Sequence, residues 1–358
     1  MQGAWSKEHG AKCNKIQAPS PLPPASSNIY TCFLFHICRK TKAIIKTAGT
    51  KATMYFLVLV LVSCQTKSKD RFTDTYSSGV IPIAVDENLK PIIQEELDVF
   101  EALFPKAGIV PKYTNEVDAI NSLLKDSVRL VVATRPLSSN EELSLKSKKF
   151  SPRSYKLATD GIALIINNQN KDSLITVSQI KDILTGKATN WKDIFPKSKL
   201  GKFQIVFDNQ NSSTVRYAID SICNGGKLST KLFAQTTNPE VIDFVSKTPN
   251  AIGIIGVNWL GNQKDTTNLS FKDDIRVMAV SGEAEATAAN SYKPFQAYLF
   301  YGYYPLTRSI YIILNDPRGS LPSGLTSFMT SDRGQRIILK SGLVPATQPV
   351  RIVNIKDE

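Results

Sequence analysis

The sequence predicts an α/β fold, a mainly parallel sheet flanked by helices, and three observations point to it. Short β-branched runs alternate with segments whose apolar residues recur at helical spacing, the pattern of βαβ units. The composition, 42% hydrophobic and 21% charged over 358 residues, is that of an ordinary globular chain with ample core. The strand ends run into polar turns, and in open parallel sheets ligands gather at the carboxyl ends of strands.

The first elements belong to export rather than to the fold. Met54–Ser63 (MYFLVLVLVS) is a nearly unbroken apolar run behind Lys46 and Lys51. It is shorter than the roughly 20 residues a spanning helix needs, and a basic flank with a short apolar core is the layout of a secretory signal. Leu61-Val62-Ser63-Cys64 resembles the bacterial lipobox, so Cys64 is expected to be acylated and to anchor the chain on a membrane, facing the periplasm or the cell surface. Residues 1–63 are therefore read as an N-terminal extension and signal that is removed, with 1–53 an over-extended gene start, and residues 64–78 as a polar tether. The expected mature body keeps one cysteine, Cys223, and no histidine, since His9 and His36 precede the cleavage. That removes the usual hydrolase triad, disulfides and Cys/His metal sites, so neither metal nor cofactor is expected. Of the net charge of +13, residues 1–63 hold eight Lys/Arg against one acid, Glu8, leaving +6 for the rest. No dense basic block with interleaved aromatics appears there, which argues against nucleic acid.

Val80–Val85 is a predicted strand and Leu89–Phe104 a helix with apolar residues at Ile92, Ile93, Leu97, Phe100 and Leu103. Strand Ile109–Tyr113, helix Val117–Lys125 and strand Arg129–Ala133 repeat the pattern. Ile162–Asn167 is the next strand, and Thr176–Thr185 a helix ended by Gly186. Then come strand Ile205–Phe207, helix Thr214–Ile222, strand Lys231–Phe233, helix Pro239–Ser246 and strand Ile252–Val257. Strands Arg276–Val280 and Ser309–Leu314, helix Ser323–Ser331, and helix Asp332–Ser341 closed by Gly342 complete the body.

Four strand-end turns carry the candidate site: Asp86-Glu87-Asn88, Thr114-Asn115-Glu116, Thr134-Arg135, and Asp208–Thr214. The last is the most informative. Ser212, Ser213 and Thr214 fall at a helix start, where hydroxyls satisfy orphan N–H groups and where free amides, the positive dipole end and hydroxyl donors also suit an anion. Trp191 and Trp259 read as core rather than as ligand platforms.

Six segments in order resemble the bacterial periplasmic phosphate-binding proteins of the phosphate-specific ABC transport system. Ala133-Thr134-Arg135-Pro136-Leu137 resembles that family's Ala-Ser-Asp-x-Pro-Leu, and Asp160–Asn167 with Leu174–Trp191 its passage into the second lobe. Asn211–Thr214 stands where the family has Gly-Ser-Gly-Thr. Ala251–Gly256, Tyr304-Pro305-Leu306, and Gly334-Gln335 with Gly342-Leu343-Val344-Pro345 follow. The resemblance, over about Gly79–Val353, implies a type II periplasmic-binding-protein fold. Two lobes, residues 79–157 with 285–358 and residues 158–284, would close around phosphate or a related oxyanion. It further implies a monomer that serves ABC permease subunits and is not an enzyme. A sensing or scaffolding lipoprotein, or one binding a different small ligand, is the alternative; a Ser213 hydrolase lacks a base.

The departures matter. The family's pocket Asp aligns with Arg135 and its pocket Arg with Asp208, as though the two charges were exchanged across the cleft. Arg135 is then expected to clamp the anion and to pair with Asp208. Arg216 is expected to partner Glu87 or Asp86, whose carboxylates would otherwise oppose an anion.

Overall fold

The alternating run GVIPIAVD forms β1 (Gly79–Asp86), whose last four residues are all buried. A single turn at Glu87–Leu89 leads to α1 (Lys90–Leu103), which buries Ile92, Ile93, Leu97 and Phe100 at spacings of three and four. The computed structural model describes residues 73–229, 232–262, 265 and 270–349; the signal run, Cys64 and the start of the tether lie outside them. Next come β2 (Ala107–Thr114), α2 (Glu116–Leu124), β3 (Leu130–Ala133) and α3 (Ser139–Ser147). The long β4 (Arg153–Asn167) is followed by β5 (Leu174–Thr176), α4 (Val177–Thr185) and α5 (Trp191–Ile194). Then follow β6 (Gln204–Phe207), α6 (Ser213–Tyr217), β7 (Phe233–Ala234), α7 (Asn238–Lys247) and β8 (Ala251–Gly256). The chain continues through β9 (Ile275–Val277), β10 (Ala279–Ser281), α8 (Gln296–Tyr301) and β11 (Thr307–Leu314). It closes with α9 (Leu321–Met329), α10 (Asp332–Lys340) and β12 (Val344–Pro345).

The sheet order β2-β1-β3-β11-β4-β8-β6-β7 makes the two-lobed plan visible. At one end β2, β1 and β3 run parallel; at the other, β8, β6 and β7 do. The antiparallel strands β11 and β4 join the two groups, so the sheet is mixed at its centre. β4 works in both halves. Its first part, to Gly161, pairs with β11, and Ile162–Ile166 pair with β8. The core divides accordingly: Leu157 and Ala158 pack with β1 and α1, whereas Ile162 and Leu164 pack with Trp191, Phe207 and Tyr304. Each fully buried Ile or Leu in these clusters contributes about 1.5–3 kcal/mol.

Several expected elements differ in extent. The strand anticipated at Ile162–Asn167 is the second half of a 15-residue strand. The single strand expected at Arg276–Val280 is two, β9 on β4 and β10 on β5, because the chain changes sheets at Met278. The helix expected over Thr214–Ile222 is α6 followed by one π-turn, Ala218–Ile222. The short strand expected at Lys231–Phe233 is Phe233–Ala234, with Lys231 outside the described residues. Gly186 and Gly342 do close their helices, both at positive φ, 82° and 81°. Gly324 serves a close approach instead. A Cβ there would fall 1.9 Å from the Tyr76 carbonyl oxygen, so only glycine lets α9 meet the incoming chain.

Candidate functional site

The polar turns at the carboxyl ends of β1, β3 and β6 converge beside the paired strands β4 and β11. Asp86 ends β1 fully buried; its Oδ1 accepts the Asn88 backbone N–H at 3.2 Å and Asn88 Nδ2 at 3.4 Å. Asn88, also fully buried, reaches the other lobe, donating from Nδ2 to Asp208 Oδ2 at 2.9 Å. Two further bonds cross the same gap: Asn238 Nδ2 donates to Glu87 Oε2 at 2.7 Å, and Trp259 Nε1 to the Asn88 carbonyl at 2.8 Å.

The start of α6 is built as its residue types require. Ser212 is the N-cap, accepting from the Val215 N–H, and it lies 2.7 Å from Thr214 Oγ1. Thr214 Oγ1 in turn donates to Asp208 Oδ1 at 2.5 Å, so Ser212 is the donor between the two hydroxyls. Ser213 is fully buried and accepts from Arg308 Nη1 at 2.9 Å.

Arg308 is the cation at the centre of the site, and sequence reasoning missed it. It stands directly opposite Asp160 in the β11–β4 register. Nε donates to Asp160 Oδ2 at 3.0 Å, and Nη2 lies 2.9 Å from the same oxygen. The latter approach is off the hydrogen-bond direction, so Nη2 is buried with no hydrogen-bond partner. Asp86 Oδ2 and Asn88 Oδ1 are buried and unpartnered in the same way. Buried polar atoms are rarely left like this unless something else is to meet them. A signal did exist: Asp160 and Arg308 each interrupt an apolar strand run, and a charge there demands a partner.

In the Thr114-Asn115-Glu116 turn it is Glu116, not Asn115, that reaches the cleft. Asn115 is the N-cap of α2, accepting from the Asp118 N–H at 2.9 Å, and takes no part in the cleft. Glu116 points inward and accepts from the Thr134 N–H at 2.9 Å, Thr134 Oγ1 at 2.8 Å and Arg216 Nε at 2.5 Å. Burial pushes its carboxyl up, but the hydrogen bonds and charge of Arg216 with the Thr134 donors outweigh this and hold it low. Arg216 Nη2 also donates to Thr134 Oγ1 at 2.8 Å, so α6 is fastened to β3 and α2 through this one side chain.

The expected exchange of charges takes a different form. Arg135 does not pair with Asp208. It forms a bidentate pair with Glu141 in its own lobe, at 2.7 and 2.8 Å, and comes only within 3.9 Å of Glu116. The capping box of α3 places Glu141 there, and the Arg135 hydrogen bond holds that carboxyl down at about 2. Arg216 partners Glu116 rather than Glu87 or Asp86, because Glu87 turns towards Asn238. Of the expected residues, Asp86, Glu87, Asn88, Thr134, Asp208, Ser212, Ser213, Thr214 and Arg216 come together, while Asn115 and Arg135 stay outside. Trp191 is core, as expected, stacked on Phe195.

A family model described as a PBP superfamily domain matches residues 67–333. The phosphate-binding protein PstS of Staphylococcus saprophyticus is 27% identical over 199 residues, 55% of this chain and 58% of that protein. PstS of Staphylococcus epidermidis is 26% identical over 208 residues, 57% of this chain and 59% of its own length. The chain thus spans a little under three-fifths of the curated relatives it matches. A Clostridium perfringens structure solved with phosphate bound has a TM-score of 0.63 at 21% identity, covering 75% of this chain and all of that one. An ABC-type phosphate transport receptor of Vibrio cholerae has a TM-score of 0.56 at 18% identity, with the same coverages. At such identities these two structures speak for the fold.

Proposed function

The chain belongs to the PBP superfamily, and on that premise we propose that it is the solute-binding protein of an ABC importer and takes phosphate or a related oxyanion into the interlobe cleft. The observation that carries this reading is Arg308: a buried guanidinium on a strand joining the lobes, one arm on Asp160, one on Ser213, and Nη2 without a hydrogen-bond partner. A guanidinium fork matches the oxygens of a tetrahedral anion, and in a water-poor site its donors count for more than at a surface.

The surrounding groups complete the cleft. Ser213 bonds the guanidinium from one lobe and Asn88 of the other reaches across to Asp208, so a ligand held there would touch both lobes. Contacts available only when both grip it would favour closure. Asp208, Thr214, Glu116 and Arg216 satisfy one another and serve as the frame that positions these donors. Binding, with no chemical step, is the activity we assign, with permease subunits as the partners that receive the solute. Among the described residues no helix is long and apolar enough to cross a membrane. Acylation at Cys64 would supply the membrane attachment.

Calorimetry or a thermal shift with inorganic phosphate, and with sulfate and molybdate as competitors, tests the reading. At a hundredfold excess of phosphate over its Kd, linkage predicts a stabilisation of about 2.7 kcal/mol. No shift with any of the three anions would overturn it and favour a sensing or scaffolding role.

A further inference from the structure

The acids of the cleft are not treated alike. Asp208 accepts from Asn88 and Thr214, Glu116 from Arg216 and Thr134, and Asp160 from Arg308. Neither Asp86 nor Asp208 has a cationic donor on its carboxyl, and of these four acids only Asp86 has a carboxyl oxygen, Oδ2, buried without a hydrogen-bond partner. The groups that face it are Glu116 from α2, Asp208 from the turn after β6, Arg308 from β11 and the Ser213 hydroxyl from α6. Arg308 is already committed to Asp160, and Arg216 to Glu116. Counting Glu87, whose carboxyl takes the Asn238 amide, five carboxyls therefore share two guanidinium groups. An incoming anion would add negative charge to a buried site that already has a surplus of it, a cost of several kcal/mol if every acid stayed ionised.

We propose that Asp86 takes up a proton when the lobes close on an anion, and that its Oδ2–H becomes a hydrogen-bond donor to that anion alongside Arg308 Nη2. The proposal rests on the oxyanion reading above and deepens it: the site couples solute binding to protonation. Asn88 favours this arrangement, because its backbone N–H and Nδ2 both donate to Oδ1 and leave Oδ2 as the oxygen that carries the proton. Burial, and then Glu116, raise the Asp86 carboxyl from 3.8 to about 7, with Arg308 and Ser213 opposing; an adjacent anion would raise it further.

The sign of the linkage follows. A carboxyl whose pKa is raised in the closed, bound state favours that state at low pH. The advantage fades as pH climbs from about 7, the value before an anion enters, through the higher value the anion imposes. Binding is then strongest below about pH 7, and above it affinity falls by up to about tenfold per pH unit while one proton is taken up per anion.

The test is calorimetric titration of the protein with inorganic phosphate at about pH 8, in buffers of differing ionisation heat. The wild type is expected to take up close to one proton per phosphate, and its affinity to fall as pH rises from about 8 to 9.5, where free phosphate remains the dianion. Asp86→Asn, which keeps donors at this position and has no proton to lose, is expected to abolish both the uptake and the fall. Wild-type uptake no greater than that of the variant would overturn the proposal. If the variant does not fold, the wild-type profile decides: an affinity flat across that range overturns the proposal. Failure to bind phosphate at every pH is a separate result, which refutes the oxyanion reading itself.

Discussion

With Arg308 replaced by methionine, phosphate binding is expected to vanish and the protein to lose about 3–5 kcal/mol of stability, because Asp160 is left buried and unpaired. The two losses have different causes and are separable. In Arg308→Met with Asp160→Asn, the stranded charge is gone, and most of the stability should return in urea unfolding while phosphate binding does not. Arg308→Lys keeps the charge but has no fork with which to hold Asp160, Ser213 and an anion together, so weakened binding is expected rather than none. A double variant that regains phosphate binding along with stability would show that Arg308 acts only through the fold.

Glu96 predicts a gain. It lies on the buried face of α1, three to four residues from Ile92, Ile93 and Phe100, and both carboxyl oxygens lack a hydrogen-bond partner. Burial, helped by Glu95, raises its carboxyl from 4.5 to about 9. Because the folded-state value is the higher one, the acid costs least below its ordinary range. Stability is lost as pH rises from there towards about 9. At neutral pH the cost is roughly 3 kcal/mol. Glu96→Met is therefore expected to stabilise by about that amount at pH 7 and by much less near pH 4.5, read from urea midpoints at each pH. An equal gain at both pH values would show that packing, not ionisation, is responsible. No gain at all would remove the penalty assigned to Glu96.

What the sequence disclosed and what it withheld differ by the range of the interactions involved. Helices with a strong apolar stripe and a cap, such as α4 between Thr176 and Gly186, depend on neighbours within a few residues and were legible. The Ser212 cap was legible for the same reason. Helix α3 was missed because only Leu145 is buried in it, although its Ser138–Glu141 capping box was open to view. The first half of β4 was missed because Arg153, Ser154 and Lys156 face solvent and no apolar run marks it.

In the site, the turns were legible one by one but their pairing was not. Arg135 has Glu141 six residues away, and that local partner wins over Asp208 across the cleft. Glu116 and Arg216 are a hundred residues apart, and only the packing of α6 against β3 and α2 brings them together. The Arg308–Asp160 pair depends on register, since two strands distant in sequence must align opposite each other before either charge has a partner.

The central claim is that an oxyanion sits in the cleft at Arg308, touched by both lobes. A crystal structure grown with phosphate, repeated with arsenate to locate the anion by its anomalous signal, tests it most directly. The account predicts the anion within hydrogen-bonding distance of Arg308 Nη2, with Ser213 on one side and Asn88 and Asp86 on the other. An anion bound elsewhere, or a cleft still filled by these same side chains at saturating phosphate, would contradict it.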